Sequence, residues 1–246
     1  MTETADNALE GTTTARWMRL ARAAAIATAT WAVVVHLLAR ELIVPVLVIG
    51  LINLGFVPFL KGERRKLGFI YAAVTVLVLV GSFQFIIGDL AAPNSTPSFV
   101  LTLLQVTAAA VAVVSGLGAG LQWSVAPIRA VTVAWTAVFL VGTAVSAIAG
   151  ATTASDEALP GDVIVVNERT TFVPDTIEVQ AGSTGFWVDN RDGIRHTFTV
   201  GDLGIEVEIP ALKARRFDVD LPEGTYQLHC TVPGHETMTA TLTVNS

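Results

Sequence analysis

Five long stretches without Asp, Glu, Lys or Arg dominate the first 150 residues of this chain. They are residues 23–39, 42–60, 67–88, 98–122 and 130–150. An α-helix rises about 1.5 Å per residue, so about 20 apolar residues cross the roughly 30 Å hydrocarbon core of a bilayer. The pattern therefore predicts an α-helical membrane bundle of about five transmembrane helices over residues 23–150.

The first two stretches are separated only by Arg40 and Glu41. One continuous helix of about 40 residues would run roughly 60 Å, which is too long for a single crossing. We therefore expect the chain to turn at these two residues. In the alternative interpretation, the first stretch lies along the membrane surface and four helices span the bilayer.

Basic residues lie at alternate ends of the predicted helices. They are Arg16, Arg19 and Arg22 before the first stretch, Lys61, Arg64, Arg65 and Lys66 after the second, and Arg129 before the fifth. Because basic loops stay in the cytoplasm, residues 1–22 are expected to form a cytoplasmic N-terminal segment and residues 151–246 to lie outside. The first stretch is interpreted as an uncleaved anchor, since no small-residue cleavage site stands out after it.

Few side chains in this half of the chain suggest chemistry. His36 is the only histidine inside the five stretches, and a bis-histidine haem would need two. His36 is either an interfacial residue beside Arg40 or a residue with a quinone or proton role. Gly116 and Gly120 form a small-residue pair at helical spacing, which favours close helix packing within the bundle or, alternatively, dimerisation.

The last third of the chain has a different pattern. Residues 151–160 are small and polar and are expected to form a linker, which reaches at most about 35 Å when extended. From residue 161 onward, side chains alternate between apolar and polar, with turn signals between short runs. About seven or eight short strands are predicted, so residues 161–246 are expected to fold as an antiparallel, all-β Greek-key sandwich.

The charge is also divided unevenly. Residues 1–150 carry nine Lys and Arg against six Asp and Glu, whereas residues 151–246 carry six against 15. Nucleic acid is therefore not expected as a partner, because phosphate binding requires a basic surface.

The side chains with metal chemistry gather between residues 196 and 238. Three of the four histidines, the only cysteine and the only methionine beyond residue 18 lie there. His196, Cys230, His235 and Met238 would supply two imidazoles, a thiolate and a thioether, the ligand types of a mononuclear blue-copper site. Structural zinc fits less well, since a closed zinc site prefers Cys and His alone. His229 points away from Cys230 in an alternating strand, so it is expected at the surface and not as a ligand.

Several segments of residues 161–246 resemble the cupredoxins, the blue-copper domains of the plastocyanin and azurin type. The matching segments, in order, are residues 172–174, 176–179, 181–182, 188–192, 196–198, 224–230, 233–235 and 238–244. The resemblance implies that His196, Cys230 and His235 bind one type 1 copper in a plane, with Met238 as the weak axial ligand. Only two residues separate His235 from Met238, fewer than in many relatives. Met238 therefore either caps the copper or packs beside it.

Other residues are expected to support this site. Asn190 is either a residue that holds the ligand loop by hydrogen bonds or a plain turn residue. By analogy with the family, Leu203, Pro210, Val232 and Pro233 are expected to form an apolar rim around His235, where a redox protein would dock briefly. The acidic surface elsewhere would attract basic partners.

The sequence therefore favours a membrane-anchored copper protein that carries single electrons between membrane or extracytoplasmic redox partners. Copper binding for buffering or delivery is the alternative, and a structural module within a larger complex is a third. An enzyme is not expected, because a multicopper oxidase needs a further site rich in histidine and the chain has only four histidines.

Overall fold

The computed structural model describes residues 2–39 and 42–246, with side chains for residues 13–39 and 42–246. The turn expected at Arg40 and Glu41 lies outside the described residues. Within the described chain, six helices precede nine strands. The helices are α1 (Thr2–Ala39), α2 (Val44–Phe56), α3 (Arg65–Gly81), α4 (Phe83–Leu90), α5 (Thr96–Gly120) and α6 (Ala126–Thr152).

The chain forms two compact units that do not follow the order of the sequence. Residues 2–37, 42–86 and 100–144 make up the helical unit. Residues 38–39, 87–99 and 145–246 make up the second unit, which contains all nine strands. The second unit therefore includes the segment that joins α4 to α5 as well as the end of α6.

The expectation of five membrane spans is wrong. Among the described residues, three helices are long and apolar enough to cross a membrane: α1 from Thr13 onward, α5 and α6. Helix α2 has only 13 residues, or about 20 Å, because it begins at Val44–Pro45 and ends at Phe56. Helices α3 and α4 are bent by 65° at the break between them, so together they add at most one span.

Glycines allow close packing inside the helical unit. Gly68 of α3 and Gly116 of α5 face each other, and a Cβ on Gly68 would lie 2.6 Å from the Gly116 carbonyl oxygen. Gly120 lies against the ring of Phe69, so a side chain at this position would collide with that ring. The predicted use of Gly116 and Gly120 in packing within the bundle is therefore confirmed.

The nine strands form two sheets. They are β1 (Val163–Glu168), β2 (Thr171–Val173), β3 (Thr176–Gln180), β4 (Gly182–Asn190), β5 (His196–Val200), β6 (Ile205–Ile209), β7 (Ala214–Leu221), β8 (Gly224–His229) and β9 (Thr239–Asn245). One sheet has the order β2-β1-β4-β7 and the other the order β3-β9-β8-β5-β6. The sheets are mixed and not purely antiparallel as expected, because β1 pairs with β4, and β3 with β9, in parallel.

The core of this domain lies between the two sheets. Phe186, Phe198 and Phe217 pack with ring centroids 5.0–5.9 Å apart, which joins β4 and β7 of one sheet to β5 of the other. Cys230 and Met238 belong to the same apolar cluster. His196, at the start of β5, and Cys230, just after the end of β8, therefore lie at the edge of this core.

The segment expected to be a linker is partly structured. Helix α6 continues to Thr152. Asp156 then accepts a hydrogen bond from the Arg216 amide at 2.8 Å and, through its carbonyl oxygen, one from Trp187 Nε1 at 2.8 Å. Residues 155–156 thus lie along β7, the edge strand of the first sheet, and are not a free tether.

Candidate metal centre

The site is built on two neighbouring strands and one short loop. His196 is the first residue of β5, and Cys230 directly follows β8, its neighbour in the sheet. The loop that carries Cys230, His235 and Met238 is closed by its own backbone. The Cys230 amide donates to the Met238 carbonyl oxygen at 3.1 Å, and the Met238 amide donates to that of His235 at 2.8 Å.

Three potential ligand atoms converge at this place. His196 Nδ1 lies 3.2 Å from His235 Nδ1, and Cys230 Sγ lies 3.8 Å from the first and 3.5 Å from the second. A point equidistant from these atoms lies about 2 Å from each, which is close to the length of a metal–imidazole bond and slightly short for a metal–thiolate bond. The arrangement fits one metal ion with a trigonal set of two nitrogens and one sulfur.

The three residues of the site are buried, and their exposed fractions increase in the order His196, Cys230, His235. His196 is 0%, Cys230 5% and His235 9% exposed. His235 is therefore the most accessible of the three residues. Together they form the only His, Cys, Asp and Glu group of at least three members, within the described residues, that is suited to hold a metal.

The electrostatics of the group favour a thiolate. Burial alone would raise the pKa of the Cys230 thiol. Hydrogen bonds with His196 and His235, and one donated by the Thr197 amide at 3.4 Å, outweigh burial and lower this pKa from 9.0 to about 5. The cysteine is thus prepared to bind a soft metal at neutral pH.

Asp192 is a functional residue that sequence reasoning missed. Its carboxylate accepts a hydrogen bond from His196 Nε2 at 2.9 Å and two more from the Arg169 and Thr170 amides. Burial would raise the pKa of this carboxyl, but these bonds lower it. A ligand histidine commonly donates its second N–H to a carboxylate, so an acidic residue near His196 could have been sought in the sequence.

Asn190 holds the ligand loop, as one of the two sequence interpretations proposed. Its side-chain amide donates to the carbonyl oxygens of Ile194 (2.9 Å), Ile209 (3.2 Å) and Pro210 (3.0 Å). Its Oδ1 accepts a hydrogen bond from the Asp192 amide at 3.0 Å. One buried side chain therefore ties the loop before His196 to the loop after β6.

The remaining candidate residues are placed as follows. Met238 is fully buried, beside Cys230 in the core cluster. His229 is half-buried opposite Thr199 and does not belong to the metal-binding group. His36 lies in α1, where its Nδ1 is 2.6 Å from the Ala32 carbonyl oxygen.

The expected apolar rim is only partly present. Val232 and Pro210 are buried, so they offer almost no surface to a partner, and the expectation is wrong for both. Leu203 and Pro233 are half-buried. Any docking surface near His235 therefore depends on residues other than Val232 and Pro210.

Comparison with known proteins identifies the β-sheet region. Residues 133–244 match the family model described as a cupredoxin-like domain. A solved structure of a reduced tryptophan-to-tyrosine variant of amicyanin is 23% identical, covers 37% of this chain and 90% of its own, and has a TM-score of 0.32. A Cu(I) form of a methionine-to-alanine variant of amicyanin is 24% identical, with 38% and 90% coverage and a TM-score of 0.31. No curated protein matches the chain.

Family match and site geometry lead to the same description. The donor atoms are two imidazole nitrogens and a thiolate sulfur, held by a two-sheet domain. Residues 133–244 of this chain thus carry a cupredoxin-like domain, and its His196, Cys230 and His235 group could bind one copper ion.

Proposed function

We propose that this chain is a membrane-anchored type 1 copper protein that carries single electrons between redox partners on the extracytoplasmic side. The observation that supports this most directly is the convergence of His196 Nδ1, His235 Nδ1 and Cys230 Sγ in one buried group. Copper bound there would supply one-electron chemistry through its Cu(I) and Cu(II) states, with no substrate bond made or broken.

The chain's own residues would keep the ligands nearly fixed in both oxidation states. Asp192 holds the His196 ring, and the short 230–238 loop holds Cys230 and His235 through its backbone hydrogen bonds. Met238 would supply a thioether as a further, weak ligand, since it is buried in the same core cluster as Cys230. Because the positions of these ligands would change little between the two oxidation states, the reorganisation energy that opposes electron transfer would be small.

His235 is the proposed point of electron exchange. It is the most exposed of the three ligand residues, whereas His196 is completely covered. Partners with basic surfaces would be attracted, since residues 151–246 carry 15 acidic and six basic side chains.

The membrane anchor is proposed from the helices. Helices α1, α5 and α6 are long and apolar enough to span a bilayer. The basic residues Arg16, Arg19 and Arg22 favour a cytoplasmic start of the chain, so three crossings would place the β-domain outside.

The test uses the purified 246-residue chain in detergent. Copper-free protein is mixed with Cu(II), and the visible spectrum is recorded for the native chain, Cys230→Ser, His196→Ala and His229→Ala. The two histidine variants form a matched pair, because only His196 belongs to the metal-binding group. We expect an intense thiolate-to-copper band for the native chain and His229→Ala, no such band for Cys230→Ser, and an altered band for His196→Ala.

Other results would point elsewhere. A folded native chain that stays colourless but binds Cu(I) tightly would favour copper buffering or delivery. A folded chain that binds neither oxidation state would contradict both copper functions and favour a structural module.

A further inference from the structure

We propose that residues 87–99, the segment joining α4 to α5, form a clamp that positions His196, with Asp89, Ser95 and Ser98 as its positioning residues. The inference rests on the proposed copper function, since it assigns residues that control the same site. The clamp and the β-domain belong to one compact unit.

The first arm of the clamp holds Arg195, the residue immediately before His196. Arg195 Nε donates to Asp89 Oδ1 at 3.0 Å, and the Arg195 amide donates to Ser98 Oγ at 3.2 Å. The side chains of this ion pair are only 10% and 23% exposed. Removing one partner would leave a largely buried charge uncompensated, which is strongly unfavourable. Side chain and backbone of Arg195 are therefore both fixed.

Gly88 makes this approach possible. A Cβ at Gly88 would collide with the Arg195 guanidinium group at Nη2. A side chain at this position would require the guanidinium to shift from the place where it bonds Asp89.

The second arm reaches His196 through a chain of hydrogen bonds. The Ala211 amide donates to Ser95 Oγ at 2.7 Å. The neighbouring Pro210 carbonyl oxygen accepts from Asn190, whose Oδ1 accepts from the Asp192 amide. Asp192 in turn accepts from His196 Nε2. Ser95 is thereby linked to the ring of a proposed ligand.

The two arms hold the loop before His196 at both ends, but neither contacts a ligand atom. Cys230 and His235 lie on a different loop, which closes on its own backbone. Losing the clamp should therefore loosen His196 and leave the thiolate in place. Copper would bind more weakly, with a changed spectrum, while the thiolate-to-copper band would persist.

The experiment compares clamp variants with matched controls in the whole 246-residue chain. Asp89→Asn is paired with Asp202→Asn, an exposed site in the β-domain, and Gly88→Ala with Gly81→Ala, where a Cβ meets no atom within 4 Å. Ser98→Ala is paired with Ser98→Thr, which keeps the hydroxyl. Amide hydrogen exchange is measured without copper, and copper affinity and the visible spectrum are measured with it.

We expect faster exchange over residues 190–196 in Asp89→Asn, Gly88→Ala and Ser98→Ala. Copper affinity in these variants should fall by up to about tenfold, the lower end of the loss expected for a direct partner of a ligand histidine, because the clamp acts on His196 only through Arg195. The spectrum should shift, and Ser98→Thr should restore the native behaviour. Both control variants should match the native chain.

Two results would overturn the clamp. Unchanged exchange in all three variants would show that the contacts of Asp89, Gly88 and Ser98 with Arg195 do not hold the loop. Faster exchange with unchanged affinity and spectrum would show that the loop is held but that His196 is not positioned by it. A native chain that binds no copper would instead contradict the proposed function, and the copper-free exchange data would still decide whether the clamp holds the loop.

Discussion

His196 uses its two ring nitrogens in different ways. Nε2 donates to Asp192, whereas Nδ1 faces His235 Nδ1 and Cys230 Sγ. A carboxylate that accepts the Nε2 proton keeps it there, so Nδ1 of the neutral ring retains a lone pair for a metal. Asp192 thus selects the tautomer that can bind.

Replacing Asp192 with Asn should weaken copper binding. The carboxylate serves three donors on two oxygens, and an amide offers only one acceptor oxygen. We expect copper affinity to fall about 10- to 100-fold, as for other partners of ligand histidines. Competition titration with a chelator of known affinity measures the change.

Asp189→Asn is the control for this substitution. Asp189 lies in the same part of the chain but pairs with the exposed Arg191. Its replacement should leave copper affinity unchanged. Equal affinities in Asp192→Asn and the native chain would show that the carboxylate does not prepare the ligand.

The thiol of Cys230 should titrate far below the usual range in the copper-free protein. Its pKa of about 5 lies below the ordinary 9.0, because hydrogen bonds to the thiolate outweigh burial. The stabilisation of the copper-free fold by this ionisation is therefore complete above the ordinary thiol pKa of 9.0, shrinks as the pH falls from there, and is lost once the pH has fallen through about 5. The ultraviolet absorbance of the thiolate should show a midpoint near pH 5 that is missing in Cys230→Ser. A midpoint at the ordinary thiol pKa would contradict the claim that Cys230 is already a thiolate at neutral pH in the copper-free protein.

The sequence could reveal those site residues whose residue type is rare in this chain. Cys230 is the only cysteine, and His196 and His235 belong to a set of four histidines, so their clustering is visible without a fold. Asp192 is one of 15 acidic residues beyond residue 150. Only the folded loop shows which of these carboxylates meets the His196 ring.

At the level of elements, apolar composition indicated the helices but not where they break. Pro45 stands in the first turn of α2 and favours a helix start there, and the helix ends at Phe56, which limits it to 13 residues. Helix α3 ends at Gly81, and α4 starts in a new direction after Ser82. For the strands, alternation predicts an exposed and a buried face but not the partner, so the parallel β1–β4 and β3–β9 pairs were missed.

Arg216 of β7 should control the order of the segment after α6. Its guanidinium binds both oxygens of Asp162 at 3.0 Å and also Asp218. We expect Arg216→Ala to speed amide exchange in residues 156–162, because Asp162 loses the partner that holds it on the edge strand. Exchange within β5 and β8 should stay slow.

The neighbouring Arg215→Ala is the matched control, since no hydrogen bond of Arg215 to this segment is found in the described part of the chain. Its exchange pattern over residues 156–162 should equal that of the native protein. Equal patterns in both variants would mean that the edge-strand contacts of Asp156 hold the segment without Arg216.

For the whole molecule, the division into units bears on which side of the membrane each segment occupies. Residues 38–39, 87–99 and 145–246 belong to one compact unit, so in the proposed arrangement we expect them on the same side of the membrane. In that arrangement, the chain from α2 to α4 would leave this side and return to it. Three crossings, by α1, α5 and α6, would place the β-domain opposite the N-terminus, as five would.

Labelling of single cysteines in cells can test this arrangement. In a Cys230→Ser background, Ala91→Cys and Asp202→Cys probe the second unit, and Ser124→Cys probes the connection between α5 and α6; all three positions are exposed. A membrane-impermeant maleimide should label residues 91 and 202 in intact cells, whereas residue 124 should react only after permeabilisation. Arg129, close to residue 124, favours the cytoplasm for that connection. Labelling of residue 202 only after permeabilisation would place the copper domain inside. Labelling of residues 91 and 202 from opposite sides would contradict the compact unit itself, and with it the clamp on His196.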